Sequence, residues 1–105
     1  MANEAKRYLA TIRLGAETSL AELGPRVQGL HKLVSNLAGG DVQLAFASHG
    51  GRLFGIFFRT AVDAQIIRAE LDKATTNADR FLVCEVGDLL GHKGLGAAAT
   101  WLQRR

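Results

Sequence analysis

The run RLFGIFFR, Arg52 to Arg59, constrains this chain more than any other stretch. Between its arginines the residues are apolar on both faces, so a strand built from them must be covered on both sides, and such a strand belongs in the middle of a sheet. It needs neighbours, and the sequence supplies three. Arg7 to Leu14 (RYLATIRL) alternates Tyr8, Ala10, Ile12 and Leu14 with Leu9, Thr11 and Arg13, the period of two of a half-buried strand. Val42, Leu44 and Phe46 alternate with Gln43, Ala45 and Ala47, and the turn His49-Gly50-Gly51 joins them to the central run as a hairpin. Arg80 to Val86 (RFLVCEV) reads as a fourth strand.

Helical periods lie between the strands. Leu20, Leu23, Val27, Leu30, Val34 and Leu37 recur at steps of three and four, with Thr18 or Ser19 as the cap and Gly39-Gly40 as the stop. Gly24-Pro25 interrupts this stripe, giving either a short first turn before a helix from Pro25 or a kinked helix. Val62, Ile66, Ile67, Leu71 and Ala74 mark a second helix behind a capping-box-like Thr60 and Asp63, with Asn77 as its stop. The order strand, helix, strand, strand, helix, strand predicts an α+β chain of ferredoxin-like βαββαβ type, a four-stranded antiparallel sheet with two helices on one face. Strands one and three are expected in the middle, running parallel.

The 105 residues fit one domain, 1–105, with 48% hydrophobic side chains and a small core. A Glu among the first charges, no signal-like apolar stretch and no membrane-length run lead to the expectation of a cytoplasmic protein. Cys84 is the only cysteine, which excludes an internal disulfide; its alternation with Leu82 and Val86 predicts burial as a small hydrophobe. No metal and no cofactor are expected. The net charge of +3 permits a polyanionic partner without requiring one.

The expected topology sorts the charges. Glu17, Asp41, Arg59, Asp63, Asp79 and Arg80 would gather at one end of the sheet, mostly acidic. Lys6, Arg7, His49, Arg52, Asp88, His92 and Lys93 would gather at the other with the glycines of the hairpin. Glycine lets backbone N–H groups approach an oxyanion and the cations donate to it, so Lys6, Arg7, His49, Arg52, His92 and Lys93 form the candidate anion or nucleic-acid site.

The closing segment GDLLGHKGLGAAATWLQRR looks like a phosphate loop but fails the tests for one. Lys93 precedes Gly94 where a Walker loop needs Ser or Thr. Gly94 to Ala99 satisfies the dinucleotide pattern, yet only six residues follow, leaving no second strand and no ribose-binding acid. The glycines instead launch a short C-terminal helix from Gly96 to about Gln103.

The central run shares Arg52, Phe54 and Gly55 with the aromatic signature of RNA-recognition motifs, but Leu53 and Ile56 depart from it, and Phe54, Ile56 and Phe58 read as core. A broader likeness lies in RLFGIFFRTAVDAQIIRAEL followed by NADRFLVCEVGDLLGHKGLG, which resembles the small CRISPR-associated ferredoxin-like proteins of spacer acquisition and their stand-alone relatives. That resemblance implies a homodimer that binds nucleic acid, and in some members a metal-dependent nuclease. The family's metal-binding aspartate at the end of the first strand is absent here, where Ile12-Arg13-Leu14-Gly15 stands and no acid occurs until Glu17.

If the helices cover Ile12, Leu44 and Ile56, the other sheet face shows Leu9, Leu53, Phe57, Phe81 and Val83 with Ala45 and Ala47, too apolar for water. The terminal helix with Trp101 would shield part of it and self-association the rest. No catalytic constellation stands out. The sequence therefore reads as a small binding module, leaning away from an enzyme: a homodimer contacting nucleic acid or another polyanion, with no membrane partner. The alternatives are a metal-dependent phosphodiesterase and a protein–protein adaptor using the apolar sheet face.

Overall fold

A computed structural model describes residues 4–48, 50–87, 93, 94 and 96–103. The elements run β1 (Lys6–Arg13), α1 (Leu20–Leu37), β2 (Val42–Ala47), β3 (Leu53–Thr60), α2 (Ala64–Ala74), β4 (Arg80–Glu85) and α3 (Ala97–Gln103). The fold is α+β: the strands form one sheet in the order β2-β3-β1-β4, with every neighbouring pair antiparallel. Among the described residues no helix is long and apolar enough to cross a membrane.

β3 and β1 hold the centre, as the sequence requires, but they do not run parallel. Lys6 lies opposite Thr60 and Arg13 opposite Leu53. The reason is connectivity. The α1 crossover brings β2 back parallel to β1 but one strand away, and the short β2–β3 hairpin then drops β3 into the gap, where it opposes both neighbours. The expected sorting of loops between the two ends of the sheet is thereby overturned.

The helices form where local chemistry directs them. Ser19 caps α1 through a full capping box: its hydroxyl accepts from Glu22 N–H at 3.2 Å, and the Glu22 carboxylate accepts from Ser19 N–H at 3.3 Å. The helix continues through Pro25 rather than starting there. Asp63, not Thr60, caps α2, accepting from Gln65 N–H at 2.8 Å. Thr60 has a different task, donating its hydroxyl to Leu37 O at 2.7 Å and so tying the end of β3 to the end of α1.

The sheet has two unlike faces. On one, Ala10, Ile12, Phe54, Ile56 and Phe58 pack with Leu30 and Val34 of α1 and with Ile67 and Leu71 of α2. Phe54, Ile56 and Phe58 are therefore core, as expected, and Tyr8 stacks on Phe58 at 5.5 Å between ring centroids. On the other face Phe57 packs with Ala98, Trp101 and Leu102 of α3, flanked by Leu9, Ala45 and Val86. Phe81 and Val83, expected on this second face, pack instead against the two-helix core. Their register explains it: Phe81 lies opposite Ile12 and Val83 opposite Ala10, and directly opposed residues share a face. The same parity puts Cys84 on the α3 side of an edge strand, where it is exposed rather than buried.

Candidate functional site

Of the cations singled out in the sequence, Arg7 and Arg52 lie at opposite ends of the sheet. Arg7 sits opposite Arg59, where β1 begins and β3 ends. Arg52 lies at the far end of the sheet, its carbonyl accepting from Leu14 N–H at 2.8 Å and its guanidinium donating to Gly15 O at 3.0 Å. Lys6 lies beside Arg7 in sequence but opposite Thr60, on the other face. Lys93 is exposed. His49, Asp88 and His92 lie outside the described residues. The acids divide as well. Glu17 and Asp79 share the Arg52 end, where both accept hydrogen bonds from Thr76, while Asp41 and Asp63 lie at the Arg7 end.

A different set of cations does come together. Strand alternation places Arg7, Leu9, Thr11 and Arg13 of β1 on the α3 side of the sheet, with Leu53, Gly55, Phe57 and Arg59 of β3 and Arg80, Leu82 and Cys84 of β4. Two register pairs on this face are arginine on arginine: Arg7 with Arg59, and Arg13 with Arg80. Like charges directly opposed across strands repel. No carboxylate from a strand stands among them, because Glu85 lies opposite Tyr8 and so belongs to the two-helix face. Neither pair was legible in the sequence. The shared parity of Arg7 and Arg13 was visible, but their partners depend on strand direction.

The face divides across its middle. Around the Arg7–Arg59 pair it is closed by α3: Trp101 stacks on Phe57 at 5.9 Å and 10°, and its indole N–H donates to Asp41 Oδ1 at 2.9 Å. Arg7 secures the same helix by donating to Leu102 O, and to Gly87 O at 3.1 Å. Around the Arg13–Arg80 pair none of the described residues covers the face. Here lie Leu82, Thr11, Gly55, Leu53 and Phe46, with Phe46 39% exposed, Leu53 37% and Leu82 55%.

Phe46 reaches this row through a register shift in β2. Between Leu44 and Phe46 an extra residue enters the strand, so Phe46 pairs with Gly55. Its ring lies over the Gly55 backbone: a Cβ at that glycine would stand 2.6 Å from Phe46 Cζ. The glycine in the middle of the central strand thus makes room for a flat, half-exposed aromatic ring on the same sheet face as the Arg13–Arg80 pair.

The loop before Arg80 is held rigidly from beneath. Asp79 is buried, and its carboxylate accepts from Arg26 Nη2 at 2.7 Å, Arg26 Nη1 at 3.3 Å, Gly15 N–H at 2.8 Å and Thr76 N–H at 2.8 Å. Hydrogen bonding from Arg26, helped by the Gly15 and Thr76 amides, holds its carboxyl well below the usual carboxylate range against the opposing cost of burial. Arg26 also donates to Thr18 Oγ1 at 2.9 Å. One side chain of α1 therefore fastens the β1–α1 loop to the α2–β4 loop. Gly15 fits this junction because a Cβ there would come within 2.8 Å of Ala78 O. Arg80 donates to the carbonyls of Asn77 and Asp79 at 2.7 and 2.8 Å, so the same loop fixes the base of its guanidinium without cancelling its charge.

Asp79 is thus a structural acid with its oxygens occupied. Among the described residues no group of three or more His, Cys, Asp or Glu side chains converges to hold a metal ion. The chain was compared with family models, with curated proteins and with solved structures, and it matches none of them.

Proposed function

We propose that this chain is a ferredoxin-like binding module, without catalytic chemistry of its own, that holds a single-stranded nucleic acid across the uncovered half of its sheet. The observation that carries the reading is the opposed Arg13–Arg80 pair on a face without strand carboxylates. Two cations held in repulsion gain when a phosphate comes between them, and guanidinium forks suit phosphate oxygens. The exposed Phe46 ring, across the same face on β2, offers a base a stacking surface that is tolerant of sequence, as on other single-strand platforms. Leu53 and Leu82 provide exposed apolar surface between, with Thr11 on the same face. A phosphodiesterase reading has less support, because Asp79 is committed to Arg26 and to two backbone amides.

The test is an anisotropy titration with short single-stranded DNA and RNA at several salt concentrations. The wild-type chain is expected to bind with log K falling linearly against log salt. In the Arg13→Gln/Arg80→Gln double variant that slope becomes shallower by about 1.4, at about 0.7 per lost phosphate contact. A wild-type chain that binds neither polymer, or a double variant with an unchanged slope, would falsify the reading.

A further inference from the structure

The two edges of the sheet are treated differently. β2 is blunted by its register shift at Leu44/Phe46 and by α3, which packs against it. β4 has neither device. Its six residues, RFLVCE, contain no proline or bulge, carry charge only at their two ends, and among the described residues pair with β1 alone. Natural sheets rarely leave such an edge bare, because its outward N–H and C=O groups are a template for another strand.

We infer that the β4 edge pairs antiparallel with β4 of a second copy, about a two-fold axis at Val83, to give a continuous eight-stranded sheet. The register follows from the hydrogen bonds already present. Val86 N–H donates to Arg7 O at 2.8 Å, so by alternation Cys84, Leu82 and Arg80 also turn their backbone groups toward β1. Phe81, Val83 and Glu85 turn theirs outward. A two-fold axis at Val83 sets Val83 opposite itself and Phe81 opposite Glu85, satisfying every outward backbone group of the strand on both copies. Axes at Leu82 or Cys84 leave some of them unpaired.

Side chains agree with this register. On the α3 face it puts exposed Leu82 against Cys84 of the second copy, covering the outer flank of the most exposed large apolar side chain of the sheet. On the two-helix face a groove of about 660 Å³ runs along the same edge between α2 and β4, floored by Tyr8, Phe81 and Val83 and bordered by Lys6, Arg68 and Glu85. Glu85 of the second copy arrives opposite Phe81, at the end of this groove away from Lys6. The axis is perpendicular to the sheet, so both uncovered faces point the same way. The pairing does not depend on nucleic acid.

The experiment combines sedimentation with a thiol placed by the register. The wild-type chain, without nucleic acid, is expected to approach twice its 11.3 kDa mass as it is concentrated. An edge contact of this size belongs to the weak class, so a range from about 5 to about 500 µM is needed. Leu82→Cys is expected to give a disulfide-linked dimer on mild oxidation, because the new thiol stands opposite Cys84 of the second copy, while the wild type does not, its two Cys84 residues being offset along the strands. Leu82→Lys, at an exposed position where folding is undisturbed, is expected to abolish the dimer. A wild-type chain monomeric throughout that range, or a Leu82→Cys chain that cross-links no faster than wild type, would overturn the inference. Loss of oligonucleotide binding with dimerisation intact would count only against the proposed function.

Discussion

The α3 side of the sheet contains two halves built from similar parts with different fates. Both have an opposed arginine pair and an aromatic ring. At the Arg7–Arg59 half the ring is Phe57, and it is buried under Trp101, while Arg7 spends its donors on the carbonyls of Leu102 and Gly87. At the Arg13–Arg80 half the ring is Phe46, laid over Gly55 and left half open, and nothing among the described residues covers it. The difference teaches that an arginine-bordered sheet face can be closed by a segment of its own chain. A helix of seven residues is too short to hold itself together in water, so α3 must take its stability from that docking. Among the described residues the uncovered half has no such segment, and its two arginines and its ring stand exposed.

Three sets of variants would break or sharpen this contrast. The largest effect is expected at the support of the open half. Asp79→Ala strands Arg26 without its carboxylate and leaves the Gly15 and Thr76 amides unpaired, and should cost about 3–5 kcal/mol in urea unfolding at pH 7. Its pH dependence follows from the lowered carboxyl: the folded state keeps Asp79 ionised more readily than the unfolded chain does, so this stability is present above the ordinary carboxylate range. It is lost as the pH falls below about 4. The gap between wild type and Asp79→Ala should therefore narrow when unfolding is measured at pH 3 or lower. A gap that stays constant with pH would mean that Asp79 acts through packing alone.

Trp101→Ala comes next. It removes the stacked ring from Phe57 and the donor to Asp41, at a cost of about 3 kcal/mol in the same assay. Oligonucleotide affinity is expected to be unchanged. A gain in affinity would show that covering alone separates the halves, since the exposed Phe57 with Arg7 and Arg59 would then behave as a second platform.

The smallest stability effects and the most specific binding effects lie on the open half. Phe46→Ala should cost about 1 kcal/mol in stability, its ring being half exposed, yet lower single-strand affinity by about 1–3 kcal/mol, the worth of one stacked base. Gly55→Ala should act in the same direction by pushing the ring off the strand, with a smaller loss. Calorimetry and the anisotropy titration separate the two readouts. Equal losses in both would reduce Phe46 to a packing residue.

Much of this architecture is legible in the one-dimensional pattern. The apolar run of β3 marks a central strand, and the alternation of β1 separates Tyr8, Ala10 and Ile12 from Leu9 and Thr11 as the fold does. The step of three and four picks out Leu30 and Val34 of α1, and Ile67 and Leu71 of α2. The terminal helix and the shielding role of Trp101 are readable from Gly96 onward. The candidate site is not. Lys6, Arg7, Arg52 and Lys93 look related only if β1 and β3 run the same way, and one reversal separates Arg7 from Arg52 by the length of the sheet. The bulge that turns Phe46 toward Gly55 has no marker in VQLAFA, and the exposure of Cys84 depends on β4 being an edge.

Side-chain periodicity is a property of a few adjacent residues, and the sequence alone could determine it: which segments are strands or helices, and which of their residues share a face. Direction, register and covering are relations between segments distant along the chain, set by the crossover of α1, the short β2–β3 hairpin and the docking of α3. Those relations alone decided that Arg13 would face Arg80, that Arg7 would be committed to a helix, and that β4 would lie at an edge of the sheet. The physical reason is that a local pattern fixes what a segment must bury, whereas only the closed chain fixes which partner it is buried against.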